Sequence, residues 1–204
     1  MMKVSGKEYC ILIVICQKRM VLKHYHIYLM LWKKSFEEEL KMSRYEEGLR
    51  LIEESCGNGK DNVIALSTIA MEPNAEGIPC PCVRDVDAYY EDGVFYVTTW
   101  AKSNKMQQIA QNKEVAFAVC FEGISGSGVG ENLGWVLDPK NAEIRAKLRK
   151  AFIDWYDQAN NEQDENCVIL AIRITRGTIF RDHGDVRYNI DFVNKLETEE
   201  GKIR

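Results

Sequence analysis

The dipeptide Asp92-Gly93 lies between two runs rich in strand formers, Cys80–Tyr90 and Val94–Thr99. Asp-Gly in that setting is a strong hairpin signal, because a two-residue type I′ turn needs positive φ at both central positions. Strands joined in this way pair antiparallel, whereas parallel strands need long crossovers. Pro79 and Pro81 bracket the start of the first run. Neither can donate to a ladder, so that run starts on a sheet edge or at a bulge.

Similar runs recur along the chain. Asn62–Ala70 is rich in β-formers, and Glu114–Phe121 alternates cleanly. Its Val115, Phe117, Val119 and Phe121 fall on one face, with Ala116, Ala118 and Cys120 on the other. Cys167–Arg176 places Val168, Leu170, Ile172 and Ile174 on one face, and Thr178–Arg181 and Arg187–Phe192 read as short strands. Helices are fewer. Ser43-Arg-Tyr-Glu46 has the capping-box pattern, and Tyr45, Leu49, Ile52 and Cys56 follow at helical spacing before Gly57. Ser103 caps a short helix to about Gln111. Asp138-Pro139 opens another to about Asn160, burying Ile144, Leu148, Phe152 and Trp155. Gly123–Gly134 holds five of the fourteen glycines and reads as a loop or hairpin tip that closes over a ligand. No internal repeat is visible. The expected class is α+β: mainly β with peripheral helices, built on an antiparallel sheet or barrel.

Composition bounds the function. The chain has 204 residues, 46% of them apolar, and a net charge of −4. It is long enough to bury a core without staples, and too acidic overall to suggest nucleic-acid binding. Seven cysteines, an odd number, do not read as a secreted disulfide framework, so a cytoplasmic setting is expected. Charge divides the chain at Met42. Residues 1–41 carry eight basic and four acidic groups, and the remainder carries nineteen and twenty-seven. The apolar run Cys10–Cys16 is too short to span a bilayer, and Gln17-Lys18-Arg19 stands where a signal cleavage site needs small residues. An appended strand or helix is one reading of the segment. Another is that translation starts naturally at Met42, since codons for Glu37-Glu38-Glu39 can spell a ribosome-binding-like sequence. The expected organisation is therefore an N-terminal extension of doubtful origin (1–41), a domain (42–194) and a polar tail (195–204).

The chemistry concentrates where a strand meets a helix. Thr98 and Thr99 end the returning strand of the hairpin, and Lys102, Ser103 and Lys105 lead into the next helix. Hydroxyls, ammonium groups and unpaired helix N-terminal amides together suit a phosphate. A capped surface helix with solvated lysines is the plainer alternative.

The stretch from Gly77 to Phe121 resembles the pyridoxamine 5′-phosphate oxidase-like, FMN-binding split-barrel family. The resemblance rests on Gly77-x-Pro79 before a strand, Asp92-Gly93, Tyr96-Val-Thr-Thr99, Ser103-x-Lys105 and Met106-Gln-Gln-Ile109-x-x-Asn112. Weaker similarity extends over Ser43–Ile179. It implies a split β-barrel homodimer with FMN at the subunit interface. Thr99, Ser103 and Lys105 match the family's phosphate-binding positions, and Lys102 is added on its charge. Cys82, Val83 and Arg84 match the strand beside the isoalloxazine ring. Cys82 stands where many members have arginine, and Arg84, two residues on, shares its strand face. Trp100 either covers the cofactor or packs as a core or dimer contact. No side chain is assigned as catalytic acid or base.

The implied function is an FMN-dependent oxidoreductase acting on an unidentified small molecule with a reduced nicotinamide, NAD(P)H, or another carrier. A non-catalytic flavin or haem binder is the alternative. True pyridoxamine phosphate oxidases end in a tryptophan- and arginine-bearing motif. This chain has no tryptophan after Trp155, so that activity is not expected. Other signals are weaker. His183 among Arg181, Asp182, Asp185 and Arg187 reads as a solvated turn or a substrate contact. His24 and His26 lack companion ligands, and Cys80-Pro-Cys82 lacks a second pair, so no metal site is assigned. Glu53-Glu54 and Asp164-Glu165 read as solvated faces. No membrane partner is expected.

Overall fold

The computed structural model describes residues 43–181 and 186–197. The extension 1–41, the His183 turn and the last residues of the tail lie outside them. The first element among the described residues is helix α1 (Arg44–Cys56), with Glu46 and Glu47 against the positive end of its dipole. Ile52 and Cys56 from its apolar stripe are fully buried. Past Gly57 the chain turns through positive φ at Asn58 and Gly59 and enters the sheet.

Six strands close into a barrel. They are β1 (Asn62–Ile69), β2 (Pro81–Glu91), β3 (Val94–Trp100), β4 (Glu114–Val119), β5 (Ile124–Trp135) and β6 (Cys167–Arg181). The order around the ring is β3-β2-β1-β4-β5-β6, and a β3–β6 pairing closes it. All ladders are antiparallel. Alternation decides what points inward: Ile64 and Leu66 of β1, Phe95 and Val97 of β3, and Val115, Phe117 and Val119 of β4 fill the interior. The Phe95 and Phe117 rings meet edge to face, with centroids 5.2 Å apart.

Two departures from a uniform barrel position the site. First, β2 pairs with β1 along its whole length, from Asn62↔Ala88 to Ile69↔Pro81. It pairs with β3 only at Tyr89↔Tyr96, Tyr90↔Phe95 and Glu91↔Val94, next to the Asp92-Gly93 turn. The two strands then part, leaving the outer edge of Pro81–Ala88 without a ladder to β3. Pro81 is tolerated because it sits on that open stretch. Second, β6 serves two partners on one edge. Cys167–Arg173 pairs with β3, and Arg176–Arg181 pairs with β7 (Val186–Asp191), which in turn carries the short β8 (Leu196–Glu197).

Strand β6 is buried on both faces over Cys167–Ile172. One face lines the barrel. The other, with Cys167 and Ile169, joins a second core under α3 (Ala142–Ala151) and α4 (Tyr156–Ala159), built on Tyr89, Val136, Leu148, Phe152 and Tyr156. Asp138 caps the preceding 3-10 turn, accepting from the Lys140 amide at 3.1 Å with Pro139 behind it. Buried Asn141 donates to the carbonyls of Leu133 and Trp135, fastening α3 to the end of β5. Glu162 ties the outer helices together: it accepts from both Arg145 and Arg149, and from the Tyr156 hydroxyl at 3.1 Å. The remaining helix, α2 (Asn104–Gln111), plugs the barrel with Met106, Gln108 and Ile109.

Several sequence expectations need correcting. Gly123–Gly134 is not a loop or a hairpin tip over a ligand. Most of it is β5, a twelve-residue strand. Two of its glycines serve close packing: a Cβ at Gly126 would lie 2.2 Å from the Arg176 carbonyl, and one at Gly128 would lie 2.5 Å from that of Arg173. A register shift between Ser127 and Gly128 bends the strand. Phe121 does not continue the inward face of β4. It stands at positive φ beyond the strand end and is fully exposed. The helix after Pro139 breaks after Ala151 and resumes at Tyr156, while the segments around Ile174 and Ile179 form one strand.

Candidate functional site

The site lies where β2 and β3 separate. Strand β3 delivers Thr99, nine-tenths buried, and Trp100, which stays half exposed. The chain turns at once: the Ser103 amide donates to the Trp100 carbonyl at 3.0 Å, and the Ala101 amide donates to Asn166 at 2.7 Å. Ser103 then takes the extended N-cap conformation of α2, and the amides of Met106 and Gln107 donate to its carbonyl. Its side chain does not complete the cap. The Ser103 hydroxyl is buried and has no hydrogen-bond partner, and the amides of Asn104 and Lys105 have no acceptor one turn back.

Lys105 is half-buried on the inward side of this first turn. Among the described residues its ammonium forms no ion pair and no side-chain hydrogen bond. Burial lowers its pKa, and the Arg84 charge lowers it further. Arg84 is held from the barrel side. Its guanidinium donates to the Thr68 hydroxyl at 2.6 Å, the Gln108 carbonyl oxygen at 2.9 Å and the Leu66 carbonyl at 3.3 Å. Thr68 also donates to Gln108 at 2.6 Å. Desolvation lowers the Arg84 pKa too. Two neighbouring cations therefore sit partly out of water with only neutral partners, beside an unpaired hydroxyl and a helix N-terminus. That arrangement favours an anion strongly.

A cavity of about 460 Å³ opens in the wedge between the parted strands. Thr99, Trp100 and Lys105 line it, together with Asp85, Asp87, Asp164 and Trp155. Trp155 donates to Asp61 at 2.8 Å. Burial, and then the Asp61 charge, raises the Asp87 carboxyl pKa. The cavity thus sets one lysine, Lys105, among three carboxylates, Asp85, Asp87 and Asp164, and two indoles, Trp100 and Trp155.

Of the eight residues selected from sequence, Thr99, Trp100 and Lys105 line the cavity, and Arg84 acts on Lys105 from the barrel side. Ser103 contributes its buried hydroxyl. Cys82 shares the inward face of β2 with Arg84, while Val83 points outward and is 70% exposed. Lys102 is exposed near Asp164. Sequence reasoning missed Thr68 and Gln108, which hold Arg84, and the cavity residues Asp85, Asp87 and Trp155. A polar Gln108 among the buried positions of α2, and alternate aspartates on an edge strand, are the signals that mark them.

The sequence matches no protein-family model and no curated protein. Solved structures do match. A protein from Clostridium acetobutylicum, related to general stress protein 26 of Bacillus subtilis and described as of the pyridoxinephosphate oxidase family, is 13% identical. The match covers 76% of this chain and 100% of that one, with a TM-score of 0.50. A heme binding protein from Mycobacterium smegmatis is 15% identical over 74% of this chain and 58% of its own, with a TM-score of 0.51. The fold is that of the pyridoxamine 5′-phosphate oxidase-like split barrels. In this split barrel the open edge of β2 and the start of α2 meet at one cavity. Among the described residues no helix is long and apolar enough to cross a membrane.

Proposed function

We propose that this split barrel binds FMN and serves as an FMN-dependent oxidoreductase. The observation that carries the reading is the unmatched positive charge of Lys105, set beside the orphaned Ser103 hydroxyl and the first amides of α2. A phosphate monoester supplies what this group lacks: negative charge and several acceptor oxygens. Ser103, Lys105 and Thr99 bind the phosphate, with Lys102 adding charge from the rim. Cys82, Val83 and Arg84 of β2 would hold the ring, and Trp100 would cover part of it. A second copy of the chain closes the site against the open edge of β2, where exposed Val83 supports a homodimer with FMN at the interface.

The bound flavin supplies reversible hydride and electron transfer. The chain's own part is to hold the phosphate, fix the ring against β2, exclude water with Trp100 and the partner subunit, and set the local potential through Arg84 and Lys105. With flavin bound, the wedge would admit the small molecule that exchanges electrons with a reduced nicotinamide or another carrier. No residue of the chain needs to form a covalent bond.

Haem has support from the description of one structural neighbour. The phosphate-like demand at Lys105 favours flavin. Purified protein should show a flavin spectrum, or acquire one on titration with FMN. Anaerobic addition of NADH or NADPH should bleach it. Protein that stays colourless with added FMN would defeat the reading, and a haem Soret band would replace it. Bound flavin that no reductant and acceptor can cycle would make the protein a binder.

A further inference from the structure

Arginines removed from water are normally neutralised by a carboxylate. Arg84 is held instead by a side-chain amide, a hydroxyl and a main-chain carbonyl, from Gln108, Thr68 and Leu66. All three are neutral. Gln108 is nine-tenths buried and Thr68 is buried as well, while Arg84 is partly buried, so water screens the group only in part. Gln108 is the centre of the arrangement, since its carbonyl oxygen accepts from both Arg84 and Thr68. It stands one turn along α2 from Lys105, and among the described residues neither cation forms an ion pair.

We infer that Gln108 is a specificity-determining residue: a neutral clamp that fixes Arg84 without cancelling its charge, so that Arg84 and Lys105 together select a phosphate-bearing ligand over its neutral counterpart. The amide position matters because glutamate has nearly the same shape. A carboxylate there would form a close pair with Arg84 and cancel the field felt at Lys105. The protein accepts two uncompensated neighbouring cations, at a cost in stability, to hold an anion site ready. The inference rests on the proposed anion site but does not need the anion to be FMN.

This yields effects of opposite sign. Gln108→Glu should raise the melting temperature of the ligand-free protein while collapsing its preference for FMN over riboflavin by about tenfold or more. Gln108→Met removes the hydrogen bonds to Gln108 but leaves both charges, with Arg84 still held by Thr68 and the Leu66 carbonyl, so it should retain most of that preference. The measurement is a titration of wild type and both variants with FMN and with riboflavin, beside melting curves with and without pyrophosphate. A preference lost in the glutamate variant and kept in the methionine variant bears the inference out. A glutamate variant with wild-type preference, or equal loss in both variants, overturns it. Should the glutamate variant not fold, Arg84→Met removes the same charge and must lower the preference likewise; an unchanged ratio overturns the inference. If wild type binds neither flavin, the flavin reading fails and the pyrophosphate curves decide. Stabilisation of wild type but not of the glutamate variant upholds the neutral clamp, and no stabilisation of either overturns it.

Discussion

Lys105 shows how one residue reports a missing partner. Its ammonium is partly desolvated, faces a second cation and makes no ion pair among the described residues. Both effects lower its pKa, so the charge is held at a cost that an anion would relieve. Lys105→Ala should therefore weaken FMN binding roughly tenfold to a hundredfold, the range for a charge-assisted hydrogen bond. The ligand-free variant should melt no earlier than wild type, because no stabilising contact is lost. Isothermal titration and a melting curve check both arms. Glu162 shows the reverse logic. Hydrogen bonding to Arg145 first, and then to Tyr156 and Arg149, lowers its pKa despite burial. A lowered carboxylate pKa means its stabilisation is full above the ordinary glutamate range and is lost as pH falls through the depressed folded value. Glu162→Gln should therefore destabilise the protein near neutrality and flatten its stability profile across the acid range, as read by urea midpoints at several pH values. The strand-to-helix cluster was readable in the sequence, because hydroxyls and lysines at a cap are local. The hold on Arg84 was not, because Thr68 and Gln108 reach it from β1 and α2, far away along the chain.

At the level of elements, glycine was read correctly where it makes a turn and wrongly where it makes room. Asp92 and Gly93 both take positive φ, at 48° and 78°, as the hairpin signal requires. The glycines of β5 look the same on paper. The roles of Gly126 and Gly128 depend on β6, whose carbonyls come too close for any side chain. Gly126→Ala should force β5 from β6 and cost about 1–3 kcal/mol, as overpacking does. Denaturant unfolding measures the loss, and a variant as stable as wild type would show that the strands do not approach so closely. Period-two alternation located β4, which has one clear interior face, while β1 was marked by its β-formers and alternation gave only one of the two buried faces of β6. It failed at Phe121, where the turn had already begun.

For the whole molecule, the barrel matters through its incompleteness. Strand β2 leaves β3 after three residue pairs, and the cavity fills the gap. The domain's excess of acidic groups makes that local positive site depend on Arg84 and Lys105 working against the overall field. FMN affinity should accordingly fall as salt rises, while riboflavin affinity changes little, a contrast that titrations at two ionic strengths resolve. The most direct test of the central claim is the visible spectrum of the purified protein during titration with FMN. The account predicts saturable binding with a perturbed flavin spectrum, and loss of most of that affinity in Lys105→Ala. A spectrum that stays equal to that of unbound FMN at every protein concentration would contradict it.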